Sequence, residues 1–327
     1  MKRRDFLALL GGAALATPNI ASADTADRVY RLGTIQPVVP LTATDQLGKM
    51  LVDALAQRGY VLGKNLVLEA RGARGDVEKL PALIDELKAG GAEVLVSFGY
   101  AATVAAKSAG IPTVVGWGVG DPVETHLIES LTHPGGNITG ISDVAAELTT
   151  KRLQLLEEIT PRLDKVAMLW NEQDLGMTLR YEASAKVARD TGITVQALGV
   201  RKSGDLDQAF AAMTADPPDA MLMVADALTI SSSQRIFEFA SSRRLPAIYE
   251  YDFLVRDGGL MSYGADVGES LVRAAAFVDR IFRGAKPADL PFERPVRYPL
   301  AVNLKAARKA GLDVPPTLLA LADEVIE

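Results

Sequence analysis

Two histidines, no cysteine and 41 carboxylates bound the chemistry that this chain of 327 residues can carry. Without cysteine there is no thiol nucleophile, no thiolate metal ligand and no disulfide. A zinc site would need His126 and His133 together with carboxylates, and their spacing beside Pro134 matches no metal-ligand pattern. They read as surface loop residues. Gly116-Trp117-Gly118-Val119-Gly120 is glycine-rich but is not G-x-G-x-x-G, and Asp121-Pro122 follows it in place of a helix start. No G-x-x-x-x-G-K-S/T phosphate loop occurs. Gly140-Ile141-Ser142-Asp143 begins like a nucleophile elbow, but Val144 stands where the second glycine is required. No pair of carboxylates stands out as an acid/base couple. The sequence therefore reads as a non-enzymatic chain that needs no metal and no cofactor.

What remains is a set of small polar and aromatic residues, each just after an expected strand. Ser97-Phe98-Gly99-Tyr100 precedes a helix near Ala101. Free backbone N–H groups there, with the hydroxyls of Ser97 and Thr103, would suit a carboxylate, or would simply cap the helix. Asp121 could cap, turn the chain or accept a ligand amine. Asp143, in Ser142-Asp143, could contact a ligand or be the N-cap of the next helix. Asn171, Asp226 and Tyr249 to Tyr251 follow three further strands. Tyr100, Trp117, Trp170, Tyr249 and Tyr251 offer rigid apolar faces at the same kind of position, with core packing the expectation for Trp117. The candidate ligand-binding set is Ser97, Gly99, Tyr100, Thr103, Asp121, Asp143, Asn171, Asp226 and Tyr249.

The elements that must position these residues alternate β-rich runs with helical patterns. Strands are expected at 28–35, 66–68, 93–97 and 112–116. Helices are expected at 45–58, 77–88 and 101–108. The rhythm restarts at 165–170, with strands also at 194–198, 220–224 and 247–249. The intervening helices fall at 177–191, 205–213 and 231–243. Asp205 is expected to cap its helix, with Gln208 at the third position. A long helix, 144–159, opens this second unit and pairs Glu147 with Lys151. A strand at 260–263, a helix capped by Asp266 and a proline-rich crossover complete the chain. The βαβα rhythm implies two α/β lobes with doubly wound parallel sheets joined by a hinge. Ligands bind such sheets at the carboxyl ends of the strands, and closure of the lobes is the expected motion.

The first 23 residues have the layout of an export signal: basic Lys2, Arg3 and Arg4, an apolar run from Phe6 to Ala16, and Ala21-Ser22-Ala23 at the cleavage point. Arg3-Arg4-Asp5-Phe6-Leu7 resembles a twin-arginine signal. A periplasmic protein cleaved after Ala23 is expected. The net charge is −6, and without Lys2, Arg3, Arg4 and Asp5 the side chains sum to −8. That acidity argues against nucleic acid and anionic membranes as partners.

Several longer motifs carry a family resemblance: DPV (121–123), HPGGNITGISD (133–143), GGLMSYG (258–264), GAKPADLP (284–291) and the run from Val302 to Glu327. They resemble those of the ABC-transporter substrate-binding proteins, a family that includes bacterial receptors for aromatic amino acids. The resemblance covers essentially the whole chain after the signal. It implies a two-lobed fold of the type I periplasmic-binding-protein kind and a small-molecule ligand between the lobes. It also implies a monomer that hands its solute to a permease and an ATPase in the inner membrane. The implied lobes are 24–141 with 264–290, and 142–263 with 291–327. The resemblance carries head-group binding onto Ser97, Gly99, Asp121, Asp143 and Asp226, with Asn171 nearby. Ala227-Leu228-Thr229-Ile230 lacks the polar run of the amino-acid receptors, which weighs against an aromatic amino acid. A ligand-sensing module for a membrane receptor, or an exported α/β hydrolase, are the alternatives. A repressor core is disfavoured because the export signal occupies the place of its helix-turn-helix.

Overall fold

Each strand that is followed by a helix returns to the same end of its sheet, which makes parallel pairing the rule here. The computed structural model describes residues 28–327, and the expected export signal with its twin-arginine stretch lies outside them. Among the described residues no helix is long and apolar enough to cross a membrane.

The first sheet is assembled from β1 (Tyr30–Gln36), α1 (Gln46–Ala56), β2 (Leu66–Gly72), α2 (Leu80–Ala89), β3 (Val94–Phe98), α3 (Tyr100–Ala109), β4 (Thr113–Trp117) and β5 (Ile138–Gly140). Its five strands run parallel in the order β2-β1-β3-β4-β5. The chain then crosses to α4 (Thr149–Ile159), β6 (Lys165–Asn171), α5 (Leu175–Asp190), β7 (Thr194–Val200), α6 (Leu206–Ala215), β8 (Ala220–Met223), α7 (Ala227–Ser231), α8 (Ser233–Ser242), β9 (Ala247–Tyr249), α9 (Asp252–Arg256) and β10 (Met261–Tyr263). After β10 it returns to the first lobe as α10 (Val267–Phe282), then crosses again to β11 (Leu300–Asn303), α11 (Leu304–Ala310), α12 (Pro316–Leu321) and β12 (Glu324–Ile326). The second sheet has the order β12-β11-β10-β9-β8-β6-β7, and only β10 and β11 pair antiparallel. Two parallel-sheet lobes are thus present, as the alternation implies.

α10 belongs to the first lobe because its buried residues Val267, Leu271, Ala274, Val278 and Phe282 recur on one helical face. That face covers β3, β4 and α1. Asp279 accepts a 2.7 Å hydrogen bond from the Tyr60 hydroxyl, and Phe282 packs on Tyr30 with ring centroids 4.8 Å apart. The cap expected at Asp266 forms, its carboxylate accepting the Glu269 N–H, and Asp226 caps α7 in the same way by accepting the Thr229 N–H.

Three local expectations give way. The helix expected from Val144 begins at Thr149, because Val144 sits at φ +45°, in the left-handed region that a helix cannot continue through. Glu147 is therefore off the helix, and it takes Arg294 through two bonds of 2.8 and 3.0 Å in place of Lys151. Asp205 does not cap α6; its carboxylate accepts the N–H groups of Arg201 and Lys202 in the preceding turn.

Gly140 closes the first sheet against β4 at φ +144°, and a Cβ there would lie 2.4 Å from the backbone N and O of Val115. Gly140→Ala is expected to lower unfolding stability by on the order of 2–4 kcal/mol, combining backbone strain with a clash against fixed main chain. Denaturant titration of the two proteins measures this directly.

Candidate functional site

The carboxyl ends of the two sheets face one another across a cavity of about 920 Å³. From the first lobe it is walled by Phe98, Gly99 and Tyr100 after β3 and by Trp117 and Gly118 after β4. From the second it receives Asn171 and Asp174 after β6, Asp226 and Leu228 after β8, and Tyr251 after β9. The floor needs glycine. Gly99 (φ +82°) donates its N–H to the Trp117 carbonyl at 3.0 Å, and a Cβ on Gly118 (φ +81°) would lie 3.3 Å from the Gly99 Cα. This close approach leaves α3 starting at Tyr100 with no side-chain cap. Phe98 and Trp117 pack beside it with their rings tilted by 33° and centroids 4.1 Å apart. Opposite, Gly176 at the start of α5 lets the lobes touch: a Cβ there would lie 3.1 Å from the Tyr100 ring and 3.2 Å from the Val119 carbonyl.

Two carboxylates line the second-lobe side, and neither has an ion-pair partner among the described residues. Asp226 Oδ1 accepts the Thr229 N–H (2.9 Å), while Oδ2 accepts the Asn171 side-chain amide (2.6 Å). Burial pushes its pKa up, and these hydrogen bonds act the other way. Asp174 caps α5 by accepting the Met177 N–H at 3.1 Å. Burial, then the charge of Asp226, pushes Asp174 up to about 7. A site with two under-compensated carboxyls, an amide and aromatic walls can hold a cation joined to an apolar body.

Of the sequence-derived candidates, Gly99, Tyr100, Asn171 and Asp226 line this cavity and the others do not. Ser97 and Thr103 are fully buried and bond to each other at 2.9 Å, behind the glycine turn. Asp121 is exposed, and its Oδ1 accepts the N–H groups of Val123 and Glu124 in its own turn, away from the cavity lining. Tyr249 is the last residue of β9, and strand alternation turns its ring with Ala247 onto a sheet face, where it packs edge-on against Phe237. Trp170 stacks flat on Tyr181 at 3.6 Å, within the second lobe. His126 and His133 are exposed, as expected of loop residues. Phe98 and Tyr251, named at strand ends in the sequence but outside the candidate set, also line the site, as does Asp174, which the sequence reading missed although it follows β6 as Asn171 does.

Asp143 sits beneath the cavity, neither capping a helix nor lining the wall. Its Oδ2 accepts Arg180 Nη2 (2.6 Å), the Tyr251 hydroxyl (3.0 Å) and the Gly118 N–H (3.1 Å). Arg180 Nη1 reaches Glu250 Oε2 at 2.7 Å, and that oxygen also accepts the Ala225 N–H at 3.0 Å. Arg152 lies 3.5 Å from Glu250 Oε1 and donates to the carbonyls of Ala145 and Tyr263. All four ionic side chains are 1% exposed. Burial opposes the charge on Arg180, but Asp143 and Glu250 outweigh it and hold its pKa above the ordinary value.

Arg180→Met is expected to cost about 3–5 kcal/mol of unfolding stability, because it leaves Asp143 and Glu250 buried without their shared cation. Chemical denaturation reads this; a loss under 1 kcal/mol would show that the network contributes little.

Comparison with known proteins agrees with this architecture. A family model described as ABC transporter substrate binding protein matches residues 31–326. The Tyrosine-binding protein of Clostridioides difficile (strain R20291) is 24% identical over 259 residues, spanning 79% of this chain and 74% of that protein. A conserved domain protein from Vibrio cholerae is 26% identical with a TM-score of 0.83, covering 91% of this chain and all of that one. An ABC domain in complex with L-Trp from Streptococcus pneumonia is 25% identical with a TM-score of 0.82, again over 91% of this chain and all of that one. With two parallel-sheet lobes, a cavity between them and a match over nearly the whole described chain, this protein belongs to the ABC transporter substrate-binding protein family, and is a ligand binder rather than an enzyme.

Proposed function

We propose that the chain captures an aromatic amino acid in the interlobe cavity and delivers it, from the periplasm, to a permease and ATPase in the inner membrane. The observation that carries this reading is the pairing of Asp226 and Asn171 with an aromatic wall in one cavity. Asp226, with Asp174 beside it, would take the ligand ammonium. The uncapped first turn of α3 offers backbone N–H groups to its carboxylate. Phe98, Trp117 and Tyr100 would flank the ring. The segment after Asp226 weighed against an aromatic ligand in the sequence because it lacks polar groups. In the cavity Leu228 and Ile230 form an apolar wall, which suits a ring. The tyrosine-binding relative and the L-Trp-bound neighbour support the same class.

Thermal denaturation with L-tryptophan or L-tyrosine tests the reading. At a hundredfold excess over Kd, the ligand is expected to add about 2.7 kcal/mol of stability. Asp226→Asn should weaken binding by about 1.5–3 kcal/mol in a calorimetric titration. If no aromatic amino acid raises the melting temperature, this assignment fails.

Asp174 gives the site a pH dependence of known sign. Its folded pKa of about 7 lies above the ordinary 3.8, so the folded state holds the proton more tightly than the unfolded state. Its contribution to stability is full below about pH 4 and is lost as pH rises through 7. Ammonium capture runs the other way, because only the ionised carboxylate attracts the cation. The ligand-free protein should gain stability on going from pH 8 to pH 5 while affinity for L-tryptophan falls. Asp174→Asn should flatten both slopes, as melting curves and titrations at the two pH values will show.

A further inference from the structure

The second lobe holds another cavity, of about 420 Å³, which shares no lining residue with the interlobe cavity. It lies between α8 and α11, over β9. Its size is that of a small-molecule site, and is more than ten times the ~30 Å³ that one water occupies in the liquid. Tyr249 lines it at 1% exposure, yet its hydroxyl has no hydrogen-bond partner among the described residues. Burial alone raises its pKa, with no neighbouring group contributing. The hydroxyl is therefore free to pair with a group that enters the cavity.

The surroundings define that partner. Gly259 leaves room for the Tyr249 ring: a Cβ there would lie 2.8 Å from Tyr249 Cε2. Phe237, Leu245 and Leu260 supply apolar walls. Lys305 and Lys309, one helical turn apart on α11, line the cavity, are exposed, and take part in no ion pair among the described residues. Glu238 on α8 and Asp257 after α9 are the carboxylates of the lining, set against the two lysines, and Arg256 is already held by Asp252 and Glu324. A flat or branched apolar body would fit between the walls, a polar group would reach the hydroxyl, and an anion would meet the lysines.

We infer that this cavity is a second ligand site, separate from the interlobe cavity, which takes a small organic carboxylate with a hydrogen-bonding group at its far end. The site stands apart from the proposed amino-acid capture and does not depend on it.

The probe is 3-fluoro-4-hydroxybenzoate, titrated into the protein and followed by fluorine NMR. Saturable binding is expected. Tyr249→Phe keeps the ring and removes the hydroxyl, and should weaken binding about tenfold. Lys309→Gln, an exposed change on the helix surface, should weaken it several-fold. Asp226→Asn, which alters only the interlobe cavity, should leave it unchanged. The inference is overturned if no saturable binding is seen, or if Tyr249→Phe and Lys309→Gln bind as the parent does. It is equally overturned if Asp226→Asn abolishes binding, which would put the probe between the lobes.

Discussion

The buried chain of ion pairs running Asp143–Arg180–Glu250–Arg152 is the constraint on which the rest of the cleft depends. Two carboxylates and two guanidiniums cancel in charge, which is what makes their burial tolerable. Their remaining hydrogen bonds fix backbone. Gly118, Ala225 and Ala145 are each held by a member of this chain of pairs, so loops from both sheets are tied to one buried point. Tyr251 joins through its hydroxyl and presents its ring to the cavity above. Removing water from these charges makes each bond stronger, and makes any missing member more costly.

The two-lobed architecture was legible because parallel strands covered by helices read as apolar runs at regular intervals, and only the β10–β11 pair departs from parallel pairing. Capping by Asp266 was legible for the same local reason. What was hidden depends on long-range geometry. Val144 breaks the expected helix because Asp143 must turn inward to reach Arg180, which is 37 positions away. Tyr249 and Tyr251 are two residues apart, yet one faces a sheet and the other the cleft, because the strand ends between them. Ser97 and Asp121 were chosen for strand-end position and by resemblance, yet Ser97 bonds Thr103 of α3 and Asp121 holds its own turn. Strand-end position brought the chosen residues near the cleft but could not separate wall from foundation.

Asp226 shows why capping and ligand contact need not be rivals. A carboxylate carries more lone pairs than a cap consumes. One oxygen of Asp226 is held by Thr229 and the other by Asn171, so the group is fixed before any ligand arrives. A ligand ammonium then meets a carboxylate whose rotamer freedom is already gone, and little further ordering opposes association.

The placement of α10 has a consequence for the order in which the chain can fold. One face of β3 and β4 waits for a helix that is separated from them by the whole body of the second lobe. The second sheet in turn lacks two strands until β11 and β12 are made. Contacts of such long sequence separation form late, because much of the chain must be brought together before they are gained. Neither lobe can therefore mature on the N-terminal segment alone, and the chain reaches its final packing only after its last residues are available. Truncation before the end of α10 would leave both lobes unfinished rather than sparing one.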